Sequence, residues 1–184
     1  TADTLVGAAF GSAGERCMAL SVVVPVGQET ADKLRDALVA RIPSLKVGHS
    51  LDGSSDYGPL VTQDAKDRVE SYIQQGVDAG AELLADGRTL DMSDSSYEGE
   101  SLAGGFFTTF FDHVTPEMSI YTDEIFGPVL SMVRAETLEE AVKLPTEHEY
   151  GNGVAIFTSN GGAARDFATQ VNVGMIGINV PIPV

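Results

Sequence analysis

The sequence is poor in several residue types that stabilise or anchor proteins. Only one of its 184 residues is cysteine, none is tryptophan, and no apolar run approaches the roughly 20 residues that a membrane-spanning helix needs. One cysteine cannot form a disulfide within the chain, so the fold has to rest on a hydrophobic core, which a chain of this length is able to bury. We therefore expect one soluble globular domain.

Positive charge is also scarce. The chain has 27 acidic residues against 11 basic ones, which gives a formal charge of −16. Such a surface repels nucleic acid and anionic membranes, and we expect neither as a partner. Part of the acidity falls in a stretch rich in serine and glycine at residues 86–105, which predicts an exposed loop. A solvated acidic surface explains this charge better than salt adaptation does.

Two kinds of motif are missing. No G-x-G-x-x-G follows a predicted strand, which excludes the usual dinucleotide-binding fingerprint from this chain. The histidines, His49, His113 and His148, are far apart and in no metal-ligand spacing, so we predict no metal site. A cysteine-histidine hydrolase would need one of them beside the cysteine, which the spacing alone does not decide.

The hydrophobic pattern predicts alternating strands and helices. Such alternation indicates an α/β fold with a mainly parallel sheet and helices on both faces. Ligands of such sheets commonly bind beyond the carboxyl ends of the strands, and the loops before residue 129 and after residue 180 are candidates. The predicted helices cover 4–10, 34–42 before Pro43, 62–80 with an N-cap at Thr62, 138–144 and 163–171; the predicted strands cover 20–26, 83–85, 106–111, 129–133, 154–157 and 175–180; and 46–59 is predicted as a loop.

The single cysteine, Cys17, is the first candidate for chemistry. It lies in Phe10–Ala19, a run of small residues with Arg16 beside the thiol. A neighbouring guanidinium or exposed backbone N–H groups favour the reactive thiolate. A lone cysteine is, however, more often a small buried hydrophobe, and the local sequence leaves both readings open.

A second candidate segment, Tyr121–Val129, places carboxylates and an aromatic ring just ahead of a predicted strand. The carboxylate of Glu124 could accept hydrogen bonds from a sugar diol, and the ring of Phe126 could cover a planar ligand. The alternative is a solvated acidic turn with Phe126 in the core.

Three separated segments together resemble the aldehyde dehydrogenase superfamily. They are Phe10–Ala19, the run Glu124–Val129, and the ending Gly174–Val184. Within the family, Gly14–Ser21, Tyr150-Gly151-Asn152-Gly153 and the Asn-Val-Pro-Ile-Pro-Val ending are most similar to the branch of methylmalonate-semialdehyde dehydrogenases, which acylate coenzyme A. The resemblance runs through essentially the whole chain.

The resemblance implies roles for individual residues. Cys17 would attack the aldehyde to form a thiohemiacetal, which passes hydride to NAD and becomes a thioacyl enzyme whose acyl group goes to CoA. Glu124 would bind the hydroxyls of the nicotinamide-side ribose, and Phe126 would contact the same region. Arg16 would hold the carboxylate of the substrate, a task that suits a planar fork of donors and that competes with activating the thiol. Asn179 lies in the segment that frames the substrate pocket, where a structural role is equally open.

The resemblance also implies what lies outside the sequence. Residues 1–184 would form the catalytic domain, whereas the Rossmann cofactor domain, the oxyanion-hole asparagine and the general base would precede Thr1. Hydride transfer needs a positioned cofactor, so we expect this chain alone to fold but not to turn over substrate. The family further implies a homo-oligomer in the bacterial cytoplasm or the mitochondrial matrix. Two alternatives stay open: a hydrolytic aldehyde dehydrogenase that releases a carboxylic acid, and a catalytically idle interaction or structural domain.

Overall fold

The computed structural model describes residues 1–49, 51–89 and 108–182. Strands and helices alternate through most of this part of the chain. In the described residues the helices are α1 (Ala2–Phe10), α2 (Gln28–Arg41), α3 (Gln63–Asp78), α4 (Ser119–Thr122), α5 (Leu138–Glu147) and α6 (Gly161–Gln170), and the strands are β1 (Val22–Val23), β2 (Glu82–Ala85), β3 (Thr109–Asp112), β4 (Val129–Met132), β5 (Gly153–Ile156) and β6 (Met175–Ile178). Among these residues, no helix has both the length and the apolar character needed to cross a membrane.

The strands form a mostly parallel arrangement, as predicted. In the described residues β1, β4, β3 and β2 lie side by side in that order, and β5 pairs with β6 in a second, parallel sheet. In the first sheet β4 is parallel to both β1 and β3, with Val22 opposite Ser131 and Thr109 opposite Val129. Strand β2 runs antiparallel to β3 at the edge, an arrangement common in otherwise parallel sheets.

Helices cover both faces of the first sheet. Phe110 and Phe111 are neighbours on β3 and therefore point to opposite faces, yet both are 0% exposed. On the Phe111 face Gly76 of α3 packs against the Phe111 ring and Ile120 of α4. Helix α1 contacts β4, and the buried residues Phe10 and Leu38 of α1 and α2 belong to the same core. The expected α/β fold with helices on both faces is confirmed.

Several element boundaries follow the predicted signals. The Thr62 side chain caps α3 by accepting from the Ala65 N–H at 3.1 Å, as its position before the helix predicts. Val69 and Ile73 of α3 are buried against the core, whereas Val77 near the end of the helix is 37% exposed. Gly80 lies beyond the end of α3.

Other boundaries differ from the prediction. Strand β1 covers only Val22–Val23 of the predicted 20–26, although Val26 forms an isolated bridge with Ala135. Helix α5 continues past Pro145 to Glu147. Of the predicted strand 106–111, residues 106 and 107 lie outside the described part, as do residues 90–105 of the predicted acidic loop. Within that loop, Asp86 forms an ion pair with Arg88 at 2.7 Å.

A buried ion pair fastens the carboxyl ends of β3 and β4. Asp112 is 0% exposed, and the Arg134 guanidinium donates to its two carboxylate oxygens at 3.0 and 2.6 Å. Arg134 also donates to Asp32 of α2 at 2.9 Å. Burial by itself would raise the pKa of Asp112, but the hydrogen bonds from Arg134 and the His113 N–H hold this pKa below its usual value. The carboxylate therefore stays ionised, and Arg134, bound to both Asp112 and Asp32, ties α2 to the sheet.

We predict that Asp112→Asn lowers the free energy of unfolding by about 3 kcal/mol, because Arg134 would be left without its buried counter-charge. Urea denaturation followed by circular dichroism measures this change, and Asp36→Asn is the control because Asp36 pairs with Arg35 on the surface. Equal urea midpoints for the two variants would contradict the prediction.

The stabilising effect of Asp112 should also depend on pH. Since the folded-state pKa of Asp112 is depressed, this effect should be complete above the unfolded pKa of about 3.9 and be lost as the pH falls below that value.

Candidate active site

Cys17 lies in an exposed turn between α1 and β1. The carbonyl of Arg16 accepts from the Ala19 N–H at 3.1 Å, which closes a β-turn with Cys17 at its second position. The Cys17 residue is exposed. It is therefore no part of the hydrophobic core, which removes the reading of a small buried hydrophobe.

The backbone that leads into this turn is strained. Ser12 and Ala13 have φ of +53° and +56°, and Gly14 follows with φ of +69°. Residues other than glycine rarely adopt this left-handed conformation, and each costs of order 1–3 kcal/mol that the surrounding structure has to offset. Such strain is concentrated at functional sites in proteins, which is consistent with a reactive role for this turn.

Gly14 brings the cysteine loop against the second candidate segment. A Cβ atom at Gly14 would lie 2.3 Å from the carbonyl oxygen of Gly127, so only glycine permits this approach of the backbones. Glu15, next in the chain, accepts from the Val61 N–H at 3.2 Å. Burial raises the pKa of Glu15, against the opposing effect of that hydrogen bond. The cysteine loop is thus held by Gly127 on one side and by Val61 on the other.

The Glu124–Phe126 segment presents its functional groups to solvent. Ile125 is buried and anchors the segment, while Glu124 is exposed and Phe126 is 38% exposed. Phe126 has φ of +55°, in the left-handed region that residues other than glycine rarely adopt. The alternative reading that placed Phe126 in the core is wrong. An exposed carboxylate and an exposed ring are the groups that a sugar diol and a planar ligand would meet.

The loop before residue 129 lies at the amino edge of the sheet. Strands β1 and β4 are parallel, so the segments that enter them, with Cys17 and Glu124, share this edge. The expectation of a site beyond the carboxyl ends therefore does not hold for this loop. The carboxyl edge carries instead the Asp112–Arg134 ion pair.

Arg16 points away from the turn into a neighbouring cleft. Its Nε donates to the Ser12 hydroxyl at 3.0 Å, and its guanidinium lies beside Gly11. The cleft has a volume of about 290 Å³. Its other wall comes from the loop that contains His49, Asp52, Ser55, Asp56, Tyr57 and Gly58. In the described part of the chain, no carboxylate lies within ion-pair distance of Arg16, so its charge remains available to a ligand.

A third segment reaches Cys17 from the second sheet. The Asn152 side-chain amide donates to the Cys17 carbonyl oxygen at 3.0 Å. Gly153 lies against Met18, the residue after the cysteine, because a Cβ there would be 3.1 Å from the Met18 methyl carbon. From the sequence, Asn152 has no predicted role beyond turn chemistry and the family resemblance. The one usable signal was an amide side chain between two glycines just before a strand.

Asn179 connects the ends of the strands in the second sheet. Its backbone N–H donates to the Ile156 carbonyl at 2.8 Å, and its side chain both accepts from the Thr158 N–H and donates to the Thr158 carbonyl. With φ of +56°, it also reverses the chain after β6. These contacts are structural, so the described residues favour that role over ligand binding. The last residues of the chain, 183 and 184, lie outside the described part.

One cluster of metal-ligand residue types was not predicted from the sequence. Glu82, Asp112 and His113 meet where β2 pairs with β3, with ligand atoms within 4.8 Å of one another. The Asp112 oxygens, however, already accept from Arg134 and from the His113 N–H. Asp112, the buried member of this cluster, is thus already engaged in the ion pair with Arg134.

Comparison with known proteins places these features in a family. The model of the aldehyde dehydrogenase family matches residues 1–184. Malonate-semialdehyde dehydrogenase of Pseudomonas aeruginosa is 52% identical over 182 residues, which cover 99% of this chain and 36% of that protein. The chain thus spans about a third of the length of the curated relatives that it matches.

Solved structures agree in fold. A proposed methylmalonate-semialdehyde dehydrogenase from Sinorhizobium meliloti, complexed with NAD, superposes with a TM-score of 0.93 at 54% identity, over 100% of this chain and 36% of that one. Methylmalonate-semialdehyde dehydrogenase from Oceanimonas doudoroffii gives 0.92 at 45% identity, with 100% and 36% covered. The chain belongs to the aldehyde dehydrogenase family.

Proposed function

We propose that this chain is the catalytic part of a longer NAD-dependent aldehyde dehydrogenase that oxidises malonate semialdehyde or its methyl derivative. The observation that carries the proposal is the contact of Gly14 with Gly127, which sets an exposed cysteine loop beside an exposed carboxylate and ring. The relatives named for malonate and methylmalonate semialdehyde support the substrate class. The catalytic domain would comprise residues 1–184, with the Rossmann cofactor domain in another part of the protein.

Cys17 is the nucleophile in this proposal. Its thiolate adds to the aldehyde carbonyl carbon, the C=O π bond breaks, and the thiohemiacetal forms on the sulfur. Once the adduct is oxidised, Cys17 carries the acyl group as a thioester. The exposed position in a tight turn gives an aldehyde access to the sulfur, which a cysteine in the core would not allow.

Glu124 and Phe126 would hold the nicotinamide half of the cofactor. The Glu124 carboxylate can accept two hydrogen bonds from a ribose diol, and the Phe126 ring can cover a planar group, so the exposed side chains fit NAD. When bound, NAD supplies the acceptor for the hydride that leaves the thiohemiacetal. A structure of a relative complexed with NAD supports this choice of cofactor.

Arg16 would bind the carboxylate of the substrate. Its guanidinium is exposed, borders the cleft of about 290 Å³, and has two nitrogen atoms beyond the one that donates to Ser12. A planar fork of donors is suited to a carboxylate. Because this fork extends into the cleft, we favour substrate binding over activation of the thiol.

The acyl group would pass from Cys17 to CoA, as co-substrate. The CoA thiol adds to the thioester carbonyl, the bond to Cys17 breaks, and the thiolate of Cys17 is restored. The alternative is hydrolysis, in which water takes the place of the thiol. The two differ in product, because the first yields an acyl-CoA and the second a carboxylic acid.

The parent enzyme would be a homo-oligomer in the bacterial cytoplasm. Malonate-semialdehyde dehydrogenases of three bacteria are 44–52% identical to this chain, which supports this compartment over the mitochondrial matrix. The remaining alternative, a catalytically idle domain that only keeps the fold, is separated from an enzyme by the experiments below.

We predict that the full-length protein produces NADH from malonate semialdehyde and NAD, whereas the isolated residues 1–184 do not. The reason is that the Rossmann domain which positions the cofactor would be missing from the segment. Absorbance at the NADH band measures turnover, and circular dichroism controls for folding of the segment. NADH formation by the folded segment alone would contradict the prediction.

We predict that Cys17→Ser abolishes NADH formation in the full-length protein, because a hydroxyl is a far weaker nucleophile than a thiolate at neutral pH. In the native protein, iodoacetamide should label Cys17 faster than it labels a free cysteine derivative, as read by mass spectrometry of the Cys17 peptide. Labelling only after denaturation would support the idle domain instead, and turnover by the serine variant would contradict the role of Cys17 as nucleophile.

We predict that Arg16→Gln raises KM for malonate semialdehyde by about tenfold or more, since hydrogen bonds to a charged group contribute about 1.5–3 kcal/mol. For a neutral aldehyde of similar size, such as propanal, KM should stay within about twofold on the same grounds. Arg165→Gln is the control, because it removes an exposed positive charge from α6. An equal loss of kcat with both aldehydes would show that Arg16 acts on the thiol.

A further inference from the structure

We propose that Asn152 is a positioning residue for Cys17, and that it acts by fixing the orientation of the peptide group between Cys17 and Met18. This inference rests on the proposed role of Cys17 as nucleophile. Asn152 is 135 positions along the chain from Cys17, yet its side-chain amide donates to the Cys17 carbonyl oxygen at 3.0 Å.

The contact falls on the peptide group that can rotate in a β-turn. The turn runs from Arg16 to Ala19, and Cys17 and Met18 are its central residues. Type I and type II turns keep similar end points but differ by a rotation of the peptide between these two residues. The oxygen of that peptide belongs to Cys17. A hydrogen bond to it therefore favours one orientation over the other.

Asn152 is itself held firmly. The Gly174 N–H donates to the Gly151 carbonyl at 2.8 Å, and a Cβ at Gly174 would come within 2.9 Å of the Asn152 carbonyl oxygen. Gly153, the first residue of β5, lies against Met18. Asn152, directly before β5, and Gly153, the first residue of this paired strand, thus contact both central residues of the turn.

The orientation matters because it decides which end of the peptide dipole faces each side of the turn. In a trans peptide the carbonyl oxygen and the N–H point in opposite directions. With the Cys17 oxygen bound to Asn152, the Met18 N–H faces the opposite side. An N–H group stabilises negative charge on the side that it faces, whereas a carbonyl oxygen opposes it. Loss of the Asn152 amide would allow the peptide to turn its oxygen to that side, which we expect to slow the attack on the aldehyde.

The test compares Asn152→Leu and Asn152→Asp in the full-length protein. Both side chains are similar in size to asparagine and lack the N–H donor, and Asp also adds a negative charge. Asn172→Leu is the matched control, because Asn172 is exposed on the segment that leads to β6. One readout is the rate of iodoacetamide labelling of the Cys17 peptide at neutral pH, by mass spectrometry. The other is the separate measurement of kcat and KM.

We expect both Asn152 variants to be labelled at Cys17 more slowly than the wild type and to lose about three- to tenfold in kcat, the effect of one hydrogen bond. KM for malonate semialdehyde should stay within about twofold, and the Asn172 variant should match the wild type. An unchanged labelling rate in both Asn152 variants would overturn the proposal, and so would a rise in KM at constant kcat. Labelling requires no turnover, so a wild-type protein without activity would count against the proposed function while the labelling rates still decide the role of Asn152.

Discussion

A side chain at Gly14 would overlap the carbonyl group of Gly127, so the cysteine loop and the loop before β4 meet as bare backbone. The rest of the site depends on this contact. It requires the left-handed conformation of Gly14 and, before it, of Ser12 and Ala13. It also requires that Gly127 lie close to Val69 of α3, where a Cβ would be 2.5 Å from a methyl carbon. The positions of Cys17 and Glu124 are therefore set by glycines rather than by their own side chains.

The strain in these loops is offset by the packing beneath them. Phe10, just before the cysteine loop, is 1% exposed, and the strands β3 and β4, which precede and follow the second segment, are buried throughout. Burying a large apolar side chain contributes about 1.5–3 kcal/mol, which is comparable with the cost of one left-handed residue. The core therefore holds the exposed turns in a conformation that they would not adopt alone. Each candidate side chain then extends from a rigid base into solvent.

Local pattern predicted much of the fold, and long-range contacts account for what it did not. The apolar stripe of α3 and the Thr62 cap are local, and the structure has both. The antiparallel edge strand β2 and the ion pair of Arg134 with Asp32, 102 positions away, depend on pairing that no window of the sequence contains. Phe126 is exposed and has a positive φ, a conformation that the sequence of an aromatic residue does not predict. The contact of Asn152 with the turn is also long-range, so the sequence indicated Cys17 and Arg16 as candidates but did not predict this contact.

The chain is strongly negative, yet the proposed ligands are anionic. The distribution of its cations explains how such ligands could still bind. A net charge of −16 acts at long range, but salt screens exposed charges beyond about 8–10 Å. Close to the site, cations without an ion pair determine whether an anion is attracted. Arg35, Arg41, Arg88 and Arg134 are each bound to carboxylates of the chain, whereas Arg16 donates only to a hydroxyl among the described residues. Arg16 thus has no ion pair among the described residues where it borders the cleft, so a substrate carboxylate would be attracted to it at short range although most of the remaining surface repels anions.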